Sequence, residues 1–166
     1  RWQCGAELIG TNSGLADAEL IRMAIEVLEM LGLSARVKIS HSGIIQAVLA
    51  QLEPNTEARH QLFDQILDGN ESALASLKER QPELMAGLEM LLNVTGESAA
   101  YVANIKSLFS NSEALDTAAT SFSETLNIMD ALGVSYEIDL ASGRGFEYYT
   151  GVIFHVFVAD ALVGGG

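Results

Sequence analysis

The first residues of the chain alternate between apolar and polar side chains. Every second residue of 2–9 falls on one face, namely Trp2, Cys4, Ala6 and Leu8. That period predicts a half-buried β-strand. It also makes Cys4 a small buried hydrophobe rather than a nucleophile.

A helix is predicted to follow over 17–31, with acidic residues in its first turn and Gly32 as its C-terminal stop. Two apolar stripes run along it, which implies burial on two sides. The stripe that contains Met23 and Met30 is predicted to lie in the core or at a subunit interface. A short alternating strand is predicted over 36–40.

From 42 to 132 the pattern becomes one of successive helices, separated by Pro54, Gly69, Pro82 and Gly96. Asn55 or Thr56 is predicted to cap the second of these helices. Shorter helices are predicted around 71–80, 83–93 and 97–108. A capping box, Ser110-x-x-Glu113, is predicted to begin a last helix that ends at Gly133.

Strand patterns return at 135–140 and at 146–158, where only Gly151 interrupts the long apolar run. The order is therefore strand, helix, strand, helices, strand, strand. It predicts an α+β fold, with helices segregated from one sheet, rather than strict βαβ alternation. Four strands alone leave open edges, and the closing glycines, 164–166, are predicted to form a loop.

Composition limits the possible classes of protein. With 166 residues, 49% of them hydrophobic and 19% charged, the chain fits one domain and not a disordered acidic tail. A single cysteine excludes an internal disulfide, and no apolar run is long enough to cross a membrane. We therefore expect a soluble cytoplasmic protein. Because the chain begins at Arg1 and ends in glycines, we also expect a fragment of a longer protein.

The charge balance bears on the choice of partners. Twenty-two acidic residues stand against nine scattered basic ones, for a net charge of −13. Nucleic-acid binding draws much of its affinity from Lys and Arg side chains at phosphates. An RNA-binding surface is therefore disfavoured.

One polar pattern in the first predicted strand could hold a ligand. Gln3 and Glu7 share a face, and Gly5 between them leaves space for a small polar molecule. The alternative is that this face is the solvated side of a half-exposed sheet.

Residues 142–151 form the most unusual stretch of the sequence. Arg144 stands between two glycines, and its guanidinium is suited to bind a carboxylate or a phosphate. Strand alternation places Tyr149 on the face of Gly151 and Tyr148 on the opposite face. Packing is the alternative role for adjacent tyrosines in a strand.

The histidines offer little further chemistry. His41 precedes a predicted helix, where it is either a local hydrogen-bond partner or a titrating or ligand-binding group. His60 and His155 have no second metal ligand at useful spacing, so neither a metal site nor a cofactor is predicted. The sequence also lacks a glycine-rich nucleotide-binding loop and the Gly-x-Ser-x-Gly motif of hydrolases.

Three motifs resemble the histidyl-tRNA synthetase superfamily in order and spacing. They are Gln-Cys-Gly-Ala-Glu-Leu-Ile-Gly at 3–10, Asp-Ala-Glu-Leu-Ile at 17–21 and the distinctive Arg-Gly-Phe-Glu-Tyr-Tyr-Thr-Gly at 144–151. The resemblance covers nearly the whole chain. It implies a class II aminoacyl-tRNA synthetase-like antiparallel sheet with flanking helices. Residues 1–166 would form part of the catalytic-core domain, with a helical insertion at about 42–132.

Two branches of this superfamily compete. In the synthetases the tyrosine pair is commonly followed by Asn or Thr and then Arg. Tyr-Tyr-Thr-Gly-Val-Ile-Phe is more similar to the regulatory subunits of ATP phosphoribosyltransferase. That branch implies a non-catalytic histidine-binding protein that activates and feedback-controls a short-form catalytic subunit in the first step of histidine biosynthesis.

The resemblance also implies an assembly and its alternatives. In the regulatory branch the protein would form a homodimer within a hetero-oligomer, and the net charge of −13 favours that branch. The first alternative is a histidine–tRNA ligase. A helical scaffold whose pocket has decayed is the third possibility.

The site residues are carried over from the same resemblance. It places Gln3 and Glu7 at the α-amino group of histidine, Arg144 near its carboxylate, and Tyr149 near the imidazole, with Tyr148 in the same ligand-binding set. No residue receives a catalytic role. His155 departs from the acidic residue expected after the Val-Ile-Phe run.

Overall fold

The computed structural model describes residues 2–68, 70–93, 99–108, 112–142 and 148–166. Within these ranges the chain forms seven α-helices and four strands. In chain order they are α1 (Gly14–Met30), β1 (Ala35–His41), α2 (Ser42–Leu52), α3 (Thr56–Leu67), α4 (Glu71–Arg80), α5 (Pro82–Asn93), α6 (Ala99–Leu108), α7 (Glu113–Ala131), β2 (Glu137–Ile138), β3 (Val152–Val158) and β4 (Ala161–Gly165). A 3₁₀ turn, Leu140–Ser142, follows β2.

The four strands form one sheet in the order β2-β1-β3-β4. β3 runs antiparallel to β1, from Ala35 opposite Val158 to His41 opposite Val152, and β4 is antiparallel to β3. β2 is parallel to β1, because the helical block between them acts as a crossover connection. The predicted α+β class with flanking helices is confirmed, but the sheet is mixed rather than purely antiparallel.

The helices cover the sheet and bury a common core. α7 packs against α1, α2 and α6. Its fully buried Phe122 and Leu126 lie in the same apolar cluster as Ile21 of α1 and Ile44 of α2. No α-helix in the described ranges is long and apolar enough to cross a lipid bilayer.

Several helix ends follow the predicted signals. Asn55 caps α3 by accepting a hydrogen bond from the Ala58 N–H, and Gly32 and Gly133 follow α1 and α7 with φ of +74° and +68°. Ser110 of the predicted capping box lies outside the described residues. The observed cap of α7 is Ser112, whose Oγ accepts from the Leu115 N–H at 3.2 Å.

The strand predicted over 2–9 is not formed. Its residues are exposed and have no regular secondary structure, and among the described residues no backbone hydrogen bond joins them to the sheet. A strand is stable only when its N–H and C=O groups are paired. Without that pairing Cys4 is exposed, so the prediction that it is buried is wrong.

α1 buries only one of its two apolar stripes in this chain. Ile21 and Ile25 are buried, whereas Met23 is 41% exposed and Met30 is 87% exposed. A place in the core is therefore wrong for the two methionines. Their place at a subunit interface stays a prediction.

The last strands differ in extent from their predicted ranges. β2 contains two residues, because Ser142 turns the chain by donating from its N–H and its Oγ to Asp139. β3 begins only at Val152, and residues 146 and 147 of its predicted range lie outside the described part.

The closing glycines belong to the sheet rather than to a loop. β4 extends to Gly165, and Gly166 exchanges two backbone hydrogen bonds with Phe154. A Cβ at position 165 would lie 2.6 Å from the Phe154 carbonyl oxygen. Glycine is required there by the close approach of the two backbones.

Candidate functional site

A cavity of about 880 Å³ lies where the end of β1, one face of α7, the start of α1 and the segment 148–152 meet. Its volume is in the range typical of small-molecule sites. Polar side chains make up much of its lining, and they are Asn12, Asp17, His41, Glu113, Thr117, Ser121, Tyr148, Tyr149 and Thr150.

One wall of the cavity is a polar stripe on α7. Glu113, Thr117 and Ser121 are spaced four residues apart, so they lie on one face of the helix. Ala114 and Ala118 between them are small and leave space beside the stripe. α7 thus provides a carboxylate and two hydroxyl groups on one side of the site.

The junction of β1 and α2 forms another part of the lining. His41 caps α2, and its Nδ1 accepts a hydrogen bond from the Gly43 N–H at 3.1 Å. Its ring lies 5.6 Å from the Phe122 ring. Burial lowers the pKa of His41 to about 4, so the imidazole is neutral near pH 7. The predicted role of His41 as a local hydrogen-bond partner is confirmed.

The absence of a side chain at Gly43 allows this junction to pack closely. A Cβ there would lie 3.1 Å from the Ala118 Cβ and 3.1 Å from the His41 Cε1. Such contacts are tighter than ordinary van der Waals spacing. The start of α2 therefore lies against both α7 and the histidine ring.

The segment before β3 brings both tyrosines to the cavity. Ser42 fixes this segment, because its N–H and its Oγ both donate to the Gly151 carbonyl oxygen, at 2.9 and 3.1 Å. Tyr148 is 85% exposed and Tyr149 is 40% exposed, and both line the cavity. The prediction that only Tyr149 shares a pocket with Gly151 is wrong, because strand alternation begins only at Val152.

Asp17 lies on the α1 side of the site. Burial raises the pKa of its carboxyl group, and a hydrogen bond with the Thr125 side chain lowers it in part. The first turn of α1 approaches Thr125 closely, since a Cβ on Gly14 would lie 2.9 Å from the Thr125 backbone nitrogen. That contact holds Asp17 at the edge of the cavity.

The charge of the lining favours a cationic group on the ligand. Asp17 and Glu113 carry carboxyl groups, and no Lys or Arg occurs among the described lining residues. Arg144, the predicted partner of a ligand carboxylate, lies outside the described residues. The arrangement suits the binding of a small polar molecule that carries an ammonium group.

Gln3 and Glu7 do not line this cavity. Both are exposed on the unpaired segment at the start of the chain. Gly5 between them borders a smaller cavity of about 340 Å³, which also contacts Asp17 and Val152. Asp17 and Val152 line both cavities, so the two spaces are adjacent. The convergence of Gln3 and Glu7 with the tyrosines stays a prediction.

The sequence interpretation missed Asp17 and the polar stripe of α7. The stripe had a detectable signal, because Glu113, Thr117 and Ser121 recur every four residues beside an apolar face. Asp17 begins the Asp-Ala-Glu-Leu-Ile motif at 17–21, but an acidic residue in a first helical turn is ordinary, and the motif alone did not assign Asp17 to the site.

Sequence comparisons match this chain to two kinds of relative. A family model described as histidyl-tRNA synthetase matches residues 1–166. An ATP phosphoribosyltransferase regulatory subunit from Dehalococcoides mccartyi strain 195 is 47% identical over 99% of this chain and 40% of its own length. A histidine–tRNA ligase from Methanoregula boonei is 31% identical over 99% of this chain and 39% of its own length. The chain spans about 40% of the length of these curated relatives.

Solved structures share the fold. A protein from Bacillus halodurans, described as an ATP phosphoribosyltransferase regulatory subunit/histidyl-tRNA synthetase, has a TM-score of 0.78 at 24% identity, over 93% of this chain and 42% of its own. The ATP phosphoribosyltransferase (HisG:HisZ) complex from Thermotoga maritima has a TM-score of 0.66 at 18% identity, over 93% of this chain and 56% of its own. At these identities the likeness establishes the fold.

Proposed function

We propose, on the premise that this chain belongs to the histidyl-tRNA synthetase family, that it is part of a regulatory subunit of ATP phosphoribosyltransferase. The subunit binds histidine and controls a separate catalytic subunit without a reaction of its own. The observation that carries the proposal is the polar cavity at Tyr148 and Tyr149, in a chain that is 47% identical to a regulatory subunit over nearly its whole length.

The chemistry of the cavity supports histidine as the ligand. Histidine presents an ammonium group, a carboxylate and an imidazole. Asp17 and Glu113 attract the ammonium group, and the hydroxyl groups of the tyrosines can bond to the imidazole nitrogens. As the family resemblance implies, the proposal adds Gln3 and Glu7 at the α-amino group and Arg144 at the carboxylate.

Regulation requires that histidine bind one state of the assembly better than another. A coupling free energy of about 1–3 kcal/mol changes the equilibrium between the active and the inactive state of the assembly by roughly 5- to 150-fold. The proposed partner is the short-form catalytic subunit. The name of the Thermotoga maritima complex supports it, since that protein pairs two kinds of subunit. Within the assembly the regulatory subunit forms a homodimer.

A histidine–tRNA ligase is the second candidate. It is favoured by the description of the family model and by the 31% identity to the Methanoregula boonei ligase. The net charge of −13 weighs against it, because a tRNA-binding surface needs basic residues. Both candidates bind histidine, so binding alone does not separate them.

Three measurements on the full-length protein test the proposal. Titration calorimetry with histidine is expected to show binding. ATP–pyrophosphate exchange with histidine is expected to give no signal, since the subunit forms no adenylate. The short-form catalytic subunit is expected to gain activity when the protein is added and to lose that gain when histidine is added.

The outcomes separate the candidates. Robust pyrophosphate exchange would overturn the regulatory function in favour of the ligase. Absence of histidine binding would exclude both the regulatory subunit and the ligase, and the helical scaffold with a decayed pocket would remain. Histidine binding with no effect on the catalytic subunit would contradict the regulatory role alone.

A further inference from the structure

Within the described ranges, the imidazole of His41 makes a hydrogen bond through one of its two nitrogens. Its Nδ1 accepts the hydrogen bond from the Gly43 N–H, so that nitrogen carries a lone pair and not a proton. In a neutral ring the proton must then reside on Nε2. His41 is therefore a hydrogen-bond donor of fixed tautomer.

Packing holds the ring in one orientation, because a flip would put Cδ2 in the place of Nδ1. His41 is only 4% exposed, and its ring is held between Phe122 and the start of α2 at Gly43. A flip of the ring would break the bond to the Gly43 N–H and leave the first turn of α2 without its cap. The position of the Nε2–H is thus set by the fold.

Among the described residues, the ring of His41 makes one hydrogen bond, in which Nδ1 accepts from the Gly43 N–H. Within those residues the Nε2–H therefore has no acceptor. Nε2 is not one of the buried polar atoms that lack a partner, and His41 lines the large cavity, so this N–H is accessible to a ligand in that cavity. The N-terminus of the 11-residue helix α2 lies beside it and adds a partial positive potential. Both features favour an anionic acceptor at this wall.

We infer that His41 is a ligand-contacting residue of the cavity, and that its Nε2–H donates a hydrogen bond to the carboxylate of the bound amino acid. The inference rests on the proposed function, because it requires an amino acid in this cavity. The charges of the lining fit this orientation, since Asp17 and Glu113 line the same cavity and attract the ammonium group. His41 then determines specificity for ligands that carry a carboxylate.

The first test is His41→Asn in the full-length protein, with histidine binding measured by calorimetry. Asn is a good N-cap residue, so it retains the acceptor for the Gly43 N–H, but its shorter side chain does not reach the position of Nε2. Histidine affinity is expected to fall about tenfold or more, as for a lost hydrogen bond to a charged group. The matched control is His155→Asn, because His155 on β3 does not line the cavity. The affinity of that variant is expected to be unchanged.

The second test observes the proton itself. In imidazole-nitrogen NMR spectra, the His41 signals are those that disappear in His41→Asn, and they should show the Nε2–H tautomer. Addition of histidine is expected to move the Nε2–H resonance, whereas imidazole, which lacks a carboxylate, is expected to leave it in place. A purely structural cap would give no such difference.

Each result decides between the two proposals. If the wild-type protein binds no histidine, the proposed function fails and the His41 contact fails with it. If the wild-type protein and His41→Asn bind histidine equally, or if imidazole moves the resonance as far as histidine does, the His41 contact alone is overturned.

Discussion

The neutral, buried state of His41 predicts a specific dependence of stability on pH. Burial lowers its pKa from 6.5 to about 4 in the folded chain, while the unfolded chain keeps the ordinary value. Between these two values the unfolded state binds the proton more readily, so acid favours unfolding. The contribution of His41 to the free energy of unfolding is therefore complete above about pH 6.5 and is lost progressively as the pH falls toward 4.

The magnitude follows from the gap between the two pKa values. A gap of about 2.5 units corresponds to about 3 kcal/mol in full, of which about 2.5 kcal/mol is lost between pH 7.5 and 4.5. Asp17 and Glu113 share the cavity, and both are present in the wild-type protein and in the His41→Asn variant. The comparison of the two proteins therefore isolates the histidine.

The assay is urea denaturation of the full-length protein, followed by circular dichroism at both pH values. The wild-type protein is expected to lose about 2.5 kcal/mol more than His41→Asn over this range. A difference in the free energy of unfolding that is the same at both pH values reflects the change in packing, and it cancels when the two pH dependences are compared. Parallel pH dependences in the two proteins would refute the buried, neutral histidine.

Three further predictions follow from the packing and from the family resemblance. Gly14→Ala is expected to lower the free energy of unfolding by about 1–3 kcal/mol in denaturant titrations, because the new Cβ would lie 2.9 Å from the Thr125 backbone nitrogen. The matched control is Gly5→Ala, whose new Cβ has no atom within 4 Å. That variant should leave the free energy of unfolding unchanged. Ser112→Ala is expected to cost about 1 kcal/mol in the same assay through the loss of the α7 cap, and an unchanged midpoint would show that the cap is dispensable. Arg144→Ala is expected to weaken histidine binding more than tenfold in calorimetry if it pairs with the carboxylate, and an unchanged affinity would remove it from the site.

Local signals predicted those parts of the fold that local interactions determine. Asn55 was identifiable as a cap, and Gly32 and Gly133 as helix stops, because each acts on backbone groups a few residues away. The period of 3.6 residues gave the helices to within a few residues. The α+β class followed from the order of the elements alone.

Features that depend on residues far apart in the chain could not be predicted from local patterns. Residues 2–9 have the alternation of a strand, but alternation does not supply the neighbouring strand whose hydrogen bonds would fix it. The glycines at 164–166 resemble a loop in composition, and only the approach of Phe154 explains their place in a sheet. The parallel direction of β2 likewise depends on the path of the helical block between it and β1.

The candidate site could be predicted only in part, because some of its residues stand in local motifs and others reach it through contacts between distant elements. Tyr148 and Tyr149 were found by motif, and His41 by its position before a helix. The alternation rule failed at the tyrosines because the segment at 148–151 is held by Ser42 instead of a strand ladder. Asp17 reaches the cavity through the contact of α1 with α7, which no pattern within α1 encodes.

The exposed apolar face of α1, which contains Met23 and Met30, offers a chemical test of whether another surface covers this helix in the full-length protein. A thioether exposed to solvent is oxidised by peroxide to the sulfoxide, a change that adds one oxygen atom and is read by mass spectrometry of peptides. Because Met30 is 87% exposed in this chain, it should react quickly wherever that face of the helix is open. Protection of Met30 in the full-length protein or its complex would mark this helix as a covered surface.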